Sequence, residues 1–82
     1  MLKIKIYIVQ SEHGGIPDEP MVTLYEKSAE MAYLGWWNNE LQPDKPIKTL
    51  DELQPFIEDY SGDNFCRRWE KDLTITILPS EY

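Results

Sequence analysis

The sequence has a single cysteine, and none of its apolar runs approaches the length of a membrane span. Cys66 alone cannot form an internal disulfide or supply a cysteine-based zinc site, so nothing indicates an oxidising compartment. Spanning a bilayer takes roughly 18 apolar residues, and lysines interrupt the N-terminal segment at every second position. We therefore expect a cytoplasmic protein without a signal peptide or a membrane anchor.

Basic residues are also scarce, because 8 Lys and Arg face 15 Asp and Glu and the formal net charge is −7. Such a charge repels phosphate backbones and anionic lipid surfaces, so we expect neither direct nucleic-acid binding nor membrane binding. A chain of 82 residues has room for one modest core, which three Trp, five Tyr and two Phe would supply. We expect one domain spanning residues 1–82.

Two segments have the character of β-strands. Residues 2–9 alternate aliphatic side chains with lysine and tyrosine, which predicts a strand with one buried face. Residues 21–26 are again β-branched and aromatic. The segment between them, SEHGGIPDEP at residues 11–20, holds the glycine pair and two prolines. It predicts a long hairpin loop in which Gly14 and Gly15 adopt positive φ.

A helix is predicted from Ala29 to about Leu41, with Ser28 as its N-cap. Its apolar face would be about 200° wide, so part of that aromatic surface would stay outside the core. Trp36 and Trp37 differ by about 100° in direction, and both can be buried only if the helix is covered on two sides.

A second helix should start at Thr49, which forms a capping box with Glu52. The apolar stripe of this helix is Leu50, Leu53, Phe56, Ile57 and Tyr60. Pro55 should kink or split the helix, because it lacks the N–H of an i→i−4 hydrogen bond, and Gly62 should end it.

Residues 63–71 fit either a third helix or a strand, and the helix is slightly favoured. Residues 73–78 alternate Leu and Ile with Thr, which predicts a final strand. Together the elements predict a small α+β fold of order ββαα(α)β. Its three-stranded, possibly four-stranded, mainly antiparallel sheet would have the first strand in the middle and two or three helices on one face. The direction of the last strand stays open.

Catalytic signals are weak. His13 has Glu12, Asp18 and Glu19 nearby, and a carboxylate can orient an imidazole or share a metal with it. A hairpin loop is exposed, however, and metal sites use three or four fixed ligands. Cys66 beside two arginines could be a nucleophile, but a lone cysteine is more often a buried small side chain. We expect no catalytic residues, no metal and no cofactor.

Acidic clustering is the stronger signal. No Lys or Arg interrupts residues 50–63, which hold Asp51, Glu52, Glu58 and Asp59. Solvated faces that keep the protein soluble would explain this pattern. The functional alternative is a negative surface for a basic partner, in which Asp51 and Glu58 lie roughly 10 Å apart and imitate phosphates. Tyr33, Trp36 and Trp37 would belong to the core on one interpretation, because a small domain needs large side chains to bury. If Trp37 points outward instead, it would be the natural anchor of such an interface.

The leading hypothesis is a non-enzymatic protein that binds the basic surface of another protein through Asp51, Glu52, Glu58, Asp59 and Trp37. A phage-type inhibitor that blocks a nucleic-acid-binding site is its most concrete form. One alternative is a small enzyme or metal-binding domain that uses His13 with Asp18 and Glu19. Another is a structural subunit that dimerises through a sheet edge or the unused sheet face. The partner and the oligomeric state stay open.

Overall fold

A computed structural model describes residues 2–76 and shows an antiparallel four-stranded sheet with two helices. The elements in chain order are β1 (Leu2–His13), β2 (Ile16–Pro17), β3 (Met21–Thr23), α1 (Glu26–Leu41), α2 (Leu50–Glu58) and β4 (Asn64–Ile75). β4 pairs with β1 from end to end, while β2 and β3 pair with the other edge of β1. The predicted α+β class and the central position of the first strand are confirmed, and β4 runs antiparallel to β1.

The predicted long loop at residues 11–20 is wrong, because β1 continues to His13 and turns back at once. Gly14 and Gly15 have φ values of 58° and 85°, the positive values that a tight two-residue hairpin turn needs. Ile16 then pairs with His13. The positive φ expected at both glycines is confirmed, and the second main strand is shorter than predicted, ending at Thr23.

Helix α1 begins three residues earlier than the sequence predicts. Its N-cap is Tyr25, whose side chain makes no capping hydrogen bond, so Ser28 lies inside the first turn instead of capping it. Glu26 places a negative charge in that turn, where the helix dipole favours it. The C-cap of the helix is Gln42, which has a left-handed φ of 47° and donates its N–H to the carbonyl of Asn38.

The predicted N-terminus of α2 is confirmed, because the Glu52 amide donates to Thr49 Oγ1 at 3.1 Å. Glu52 Oε2 accepts the N–H of Lys48 at 3.1 Å, not that of Thr49 as the capping box predicted. Pro55 does not split the helix. The carbonyl that its missing N–H would have met belongs to Asp51, an exposed residue that water can reach. The helix ends at Glu58, before Gly62.

The slight preference for a helix at residues 63–71 is wrong, since Asn64–Ile75 is one continuous strand. Its twelve residues pair in unbroken register with the twelve of β1, from His13↔Asn64 to Leu2↔Ile75. This long pairing outweighs the local helical spacing. Residues 73–75 of the predicted last strand are confirmed, while Ile77 and Leu78 lie outside the described residues.

The core lies between the helices and one face of β1 and β4. Its buried members are Val9, Ala29, Leu34, Trp37, Ile47, Leu53 and Cys66. Trp37 is the centre of this cluster, with the rings of Trp36, Tyr60 and Phe65 edge-on at 4.9, 5.1 and 5.2 Å. Such contacts add to the gain from burying the indole.

Candidate functional site

Helix α2 presents four carboxylates on the side that points away from the core. Leu53 is buried and Leu50 and Ile57 are half-buried, so these three side chains define the inner side of the helix. At about 100° per residue, the opposite half of the helix carries Asp51, Glu52, Glu58 and Asp59. All four are exposed. We call these four residues the acidic face.

The acidic face consists of two short rows. Asp51 and Glu58 are seven residues apart, and so are Glu52 and Asp59. Because seven residues make nearly two turns, each pair lies along one line of the helix, about 10 Å apart. The prediction that these carboxylates share one surface agrees with their positions on α2.

No basic side chain neutralises this surface within residues 2–76, where the ion pairs involve other carboxylates. Asp51 and Glu52 stand at the N-terminal end of α2, where the helix dipole favours negative charge. Glu58 and Asp59 stand at the opposite end, where the dipole disfavours it, and the last turn has no basic residue. The position of the second pair is therefore not explained by the helix dipole.

Phe56 is an exposed aromatic side chain at the border of the acidic face. The sequence places it in the buried stripe, but it is 43% exposed. On a helical wheel, Phe56 points roughly 90° away from the mean direction of Leu53 and Ile57. This angle could have predicted the exposure of Phe56 from the sequence. A groove of about 500 Å³ lies on one side of Phe56, beside Asp59, and one of about 730 Å³ on the other, beside Glu52.

The predicted exposure of Trp37 is wrong, because its side chain is 0% exposed. α1 packs on the sheet with one side and contacts α2 with another, so the helix is covered on two sides. Trp36 is half-buried and also contacts the core. Trp37 therefore cannot anchor a partner, and Phe56 is an exposed aromatic residue next to the carboxylates.

The residues around His13 form a small polar cluster on the hairpin. His13 Nδ1 lies 2.7 Å from Asp18 Oδ2, and Ser11 Oγ donates to the same oxygen at 2.8 Å. Ser11 thus contacts the carboxylate and not the imidazole, so the three do not have the arrangement of a nucleophile with its base. Glu19 is exposed. Among residues 2–76, no group of three or more His, Cys, Asp or Glu is placed to hold a metal ion.

Cys66 is part of the core and not of a site. Burial raises the pKa of its thiol to about 11, so the thiolate is scarce at neutral pH. The adjacent arginines make contacts elsewhere: Arg67 pairs with Glu12 at 2.9 Å, and Arg68 lies over the ring of Tyr33. A nucleophilic role for Cys66 is not supported.

Comparisons with protein-family models, curated proteins and solved structures found no match. In the described part of the chain, no helix combines the length and the apolar content that a membrane span needs.

Proposed function

We propose that this protein is a non-enzymatic binding module that docks its acidic face against a basic surface of another protein. The observation that carries the proposal is the set of four exposed, unneutralised carboxylates in two rows along one side of α2. Complementary charge steers association and selects the partner more than it sets raw affinity. A row about 10 Å long spans roughly three of the ~3.4 Å axial steps of a nucleic-acid strand. An inhibitor that occupies a nucleic-acid-binding site is therefore the specific form that we propose.

Phe56 takes the anchoring role that the hypothesis drawn from the sequence assigned to Trp37. Energetically important interface residues are large side chains that enter a pocket while polar neighbours exclude water around them. Phe56 lines both grooves, together with Asp59 in one and Glu52 in the other. The carboxylates of the acidic face would then orient the partner, and the ring of Phe56 would supply the apolar area that is buried in the complex.

The test is a charge reversal with a matched control. In the test variant Asp51, Glu52, Glu58 and Asp59 are changed to lysine, and in the control variant the exposed Glu19, Glu26, Asp63 and Asp72 are changed in the same way. Each variant raises the formal charge of −7 by eight. Because bulk charge changes equally, only the position of the carboxylates distinguishes the two variants.

The readout is affinity capture from the source cell with all three proteins, followed by titration of the purified partner at two salt concentrations. A partner of the acidic face should bind the wild type and the control variant, lose binding to the test variant, and bind less tightly at higher salt. Phe56→Ala should weaken the same partner by about 2 kcal/mol, roughly 30-fold. Equal binding by the test and control variants, with unchanged circular dichroism, would contradict the proposal.

A further inference from the structure

The face of the sheet that points away from the helices is apolar over most of its length. In antiparallel strands, directly paired residues place their side chains on the same face. The side chains that reach the helical core from β1 are Tyr7 and Val9. The even-numbered residues therefore point the other way, and they are Leu2, Ile4, Ile6 and Ile8.

β4 continues this surface. Trp69, Leu73 and Ile75 pair with Ile8, Ile4 and Leu2, so they share the same face. Leu2, Trp69 and Ile75 are 50%, 43% and 40% exposed. We call these seven side chains, from Leu2 to Ile8 on β1 and from Trp69 to Ile75 on β4, the open face. The largest apolar patch on a typical monomer covers about 300–600 Å² and is often an interaction site.

The outer half of this surface is a ribbon of two strands. Residues 2–6 of β1 pair only with β4, because β3 reaches no further than Tyr7. The Cα radius of gyration is 16.4 Å and the longest dimension is 58 Å, whereas a compact chain of this length would have a radius near ~12 Å. An isolated two-stranded ribbon is marginal in water. A cover over this ribbon would therefore stabilise it.

We infer that the open face is the interface of a homodimer, in which the sheets of two copies pack face to face. A second copy is present wherever the chain is made, and closed twofold dimers are the commonest assemblies. β1 and β4 are each about 40 Å long and together about 10 Å wide, and the five residues of β2 and β3 add a short third strand, which gives roughly 460 Å² per copy. Two copies would bury about 900 Å², close to the ~1,000 Å² expected of a specific interface.

The charges also fit a second copy. Glu12 and Arg67 on this side of the sheet are already paired at 2.9 Å, which leaves Lys71 as the charge between the aliphatic residues. Lysine can lay its stem on an apolar surface and keep its ammonium in water. The acidic face lies on the outer side of α2, and a helix is about 10 Å across, which is more than the ~8 Å Debye length at physiological salt. The four charges of the acidic face are therefore largely screened from the open face.

The sheet edge is a poorer interface than the face. Within residues 2–76 β4 pairs only with β1, so it is an edge strand, and it carries Arg67, Arg68, Glu70, Lys71 and Asp72. Charged side chains on an edge strand oppose further pairing. The apolar contact area of this sheet is on the open face.

The test is sedimentation of the full chain together with two matched variants. Ile6→Glu puts a carboxylate directly across from Lys71 on the open face, and Thr74→Glu puts one directly across from Lys3 on the helix side of the same ribbon. Both variants create a favourable cross-strand pair, so each ribbon should fold. They differ in the face that becomes charged.

The wild type should sediment at twice the chain mass of 9.7 kDa. Ile6→Glu should raise the dissociation constant of the dimer at least ~100-fold, because a twofold interface meets the change twice, and Thr74→Glu should leave it unchanged. If Ile6→Glu fails to fold, Ile6→Thr, which keeps the β-branched shape, should still weaken the dimer at least ~10-fold. A monomeric wild type, an Ile6 variant that dimerises as tightly as the wild type, or equal loss in the Thr74 variant would overturn the inference. The acidic face is unchanged in both Glu variants, so partner binding is tested separately.

Discussion

Asn38 should be one of the most sensitive polar positions in the chain, because its side chain ties α1 to the connector that leads to α2. Asn38 Nδ2 donates to the carbonyls of Leu34 and Ile47 at 2.8 and 2.9 Å, and Oδ1 accepts the N–H of Ile47 at 2.7 Å. Ile47 is buried in the core. Asn38→Asp keeps the shape of the side chain but replaces the donor with an oxygen that faces two carbonyl oxygens.

The expected loss follows from these three bonds. The Leu34 carbonyl keeps its place in the helix, so it loses one of two partners, whereas the Ile47 carbonyl is left without its partner at a buried position. A lost hydrogen bond costs about 1 kcal/mol, and an unsatisfied buried group costs about 1–3 kcal/mol. We therefore expect Asn38→Asp to lower the free energy of unfolding by about 2–4 kcal/mol. A chain of this size has only about 4–12 kcal/mol in total.

The control is Asn39→Asp, the same change at the next position of the same helix, where the side chain is exposed. Both variants add one negative charge near the C-terminal end of α1, so the dipole penalty is shared. Urea unfolding at a fixed protein concentration, followed by tryptophan fluorescence and far-UV circular dichroism, measures the difference. A difference between the two variants of less than about 0.5 kcal/mol, the usual effect of a surface substitution, would refute this account of Asn38.

Two further perturbations test the core and the backbone. Burial raises the pKa of the Cys66 thiol from 9.0 to about 11, so the folded state favours the protonated thiol, and stability from this group is full below pH 9 and lost as pH rises through about 11. Native Cys66 should resist a thiol reagent at pH 8 until urea is added, and Cys66→Ala should show a smaller alkaline loss of stability; an equal loss would contradict the assignment. Gly35→Ala should raise the free energy of unfolding by roughly 0.5–1 kcal/mol, because its new methyl meets open space within a helix. Gly62→Ala should lower it by roughly 1–3 kcal/mol, because the methyl would overlap the ring of Tyr60, which packs on Trp37. Thermal unfolding of both glycine variants shows whether each change raises or lowers stability. A change in the same direction for both variants would contradict the contacts described.

Local spacing was sufficient to predict the types of most elements and the central place of β1. The alternation of residues 2–9 and the pairing of Thr49 with Glu52 depend on neighbours a few residues away, and both are present in the structure. The spacing of the apolar side chains in residues 63–71 fits both the 3.6-residue period of a helix and the two-residue period of a strand. Twelve consecutive pairs with β1 decide for a strand there, and the partner strand lies more than fifty residues earlier in the chain.

The side chains that link distant segments were not predictable in this way. Asn38 is one of two adjacent asparagines in a helix, and nothing in their spacing distinguishes the one that holds Ile47 from the one that faces solvent. The four carboxylates of the acidic face were predictable because they share one helix. Trp37 and Phe56 were assigned the wrong exposures because burial depends on what packs against each side of a helix, which its own sequence does not show.

The N-terminal strand shows the same limit most clearly. Its two-residue period predicts that the aliphatic side is covered, and it does not say what covers it. Within residues 2–76 the helices pack on the other side, where Lys3 and Lys5 are followed by Tyr7 and Val9 as β1 enters the core. Three of the seven side chains of the open face, Leu2, Trp69 and Ile75, stay exposed, and exposed apolar patches of this kind are often interaction sites. In the proposed dimer the two sheets would meet in the middle, and the helical layers, with one acidic face each, would lie on the outside. A basic partner with two sites could then engage both acidic faces, and the second contact would form at the high effective concentration of a tethered site.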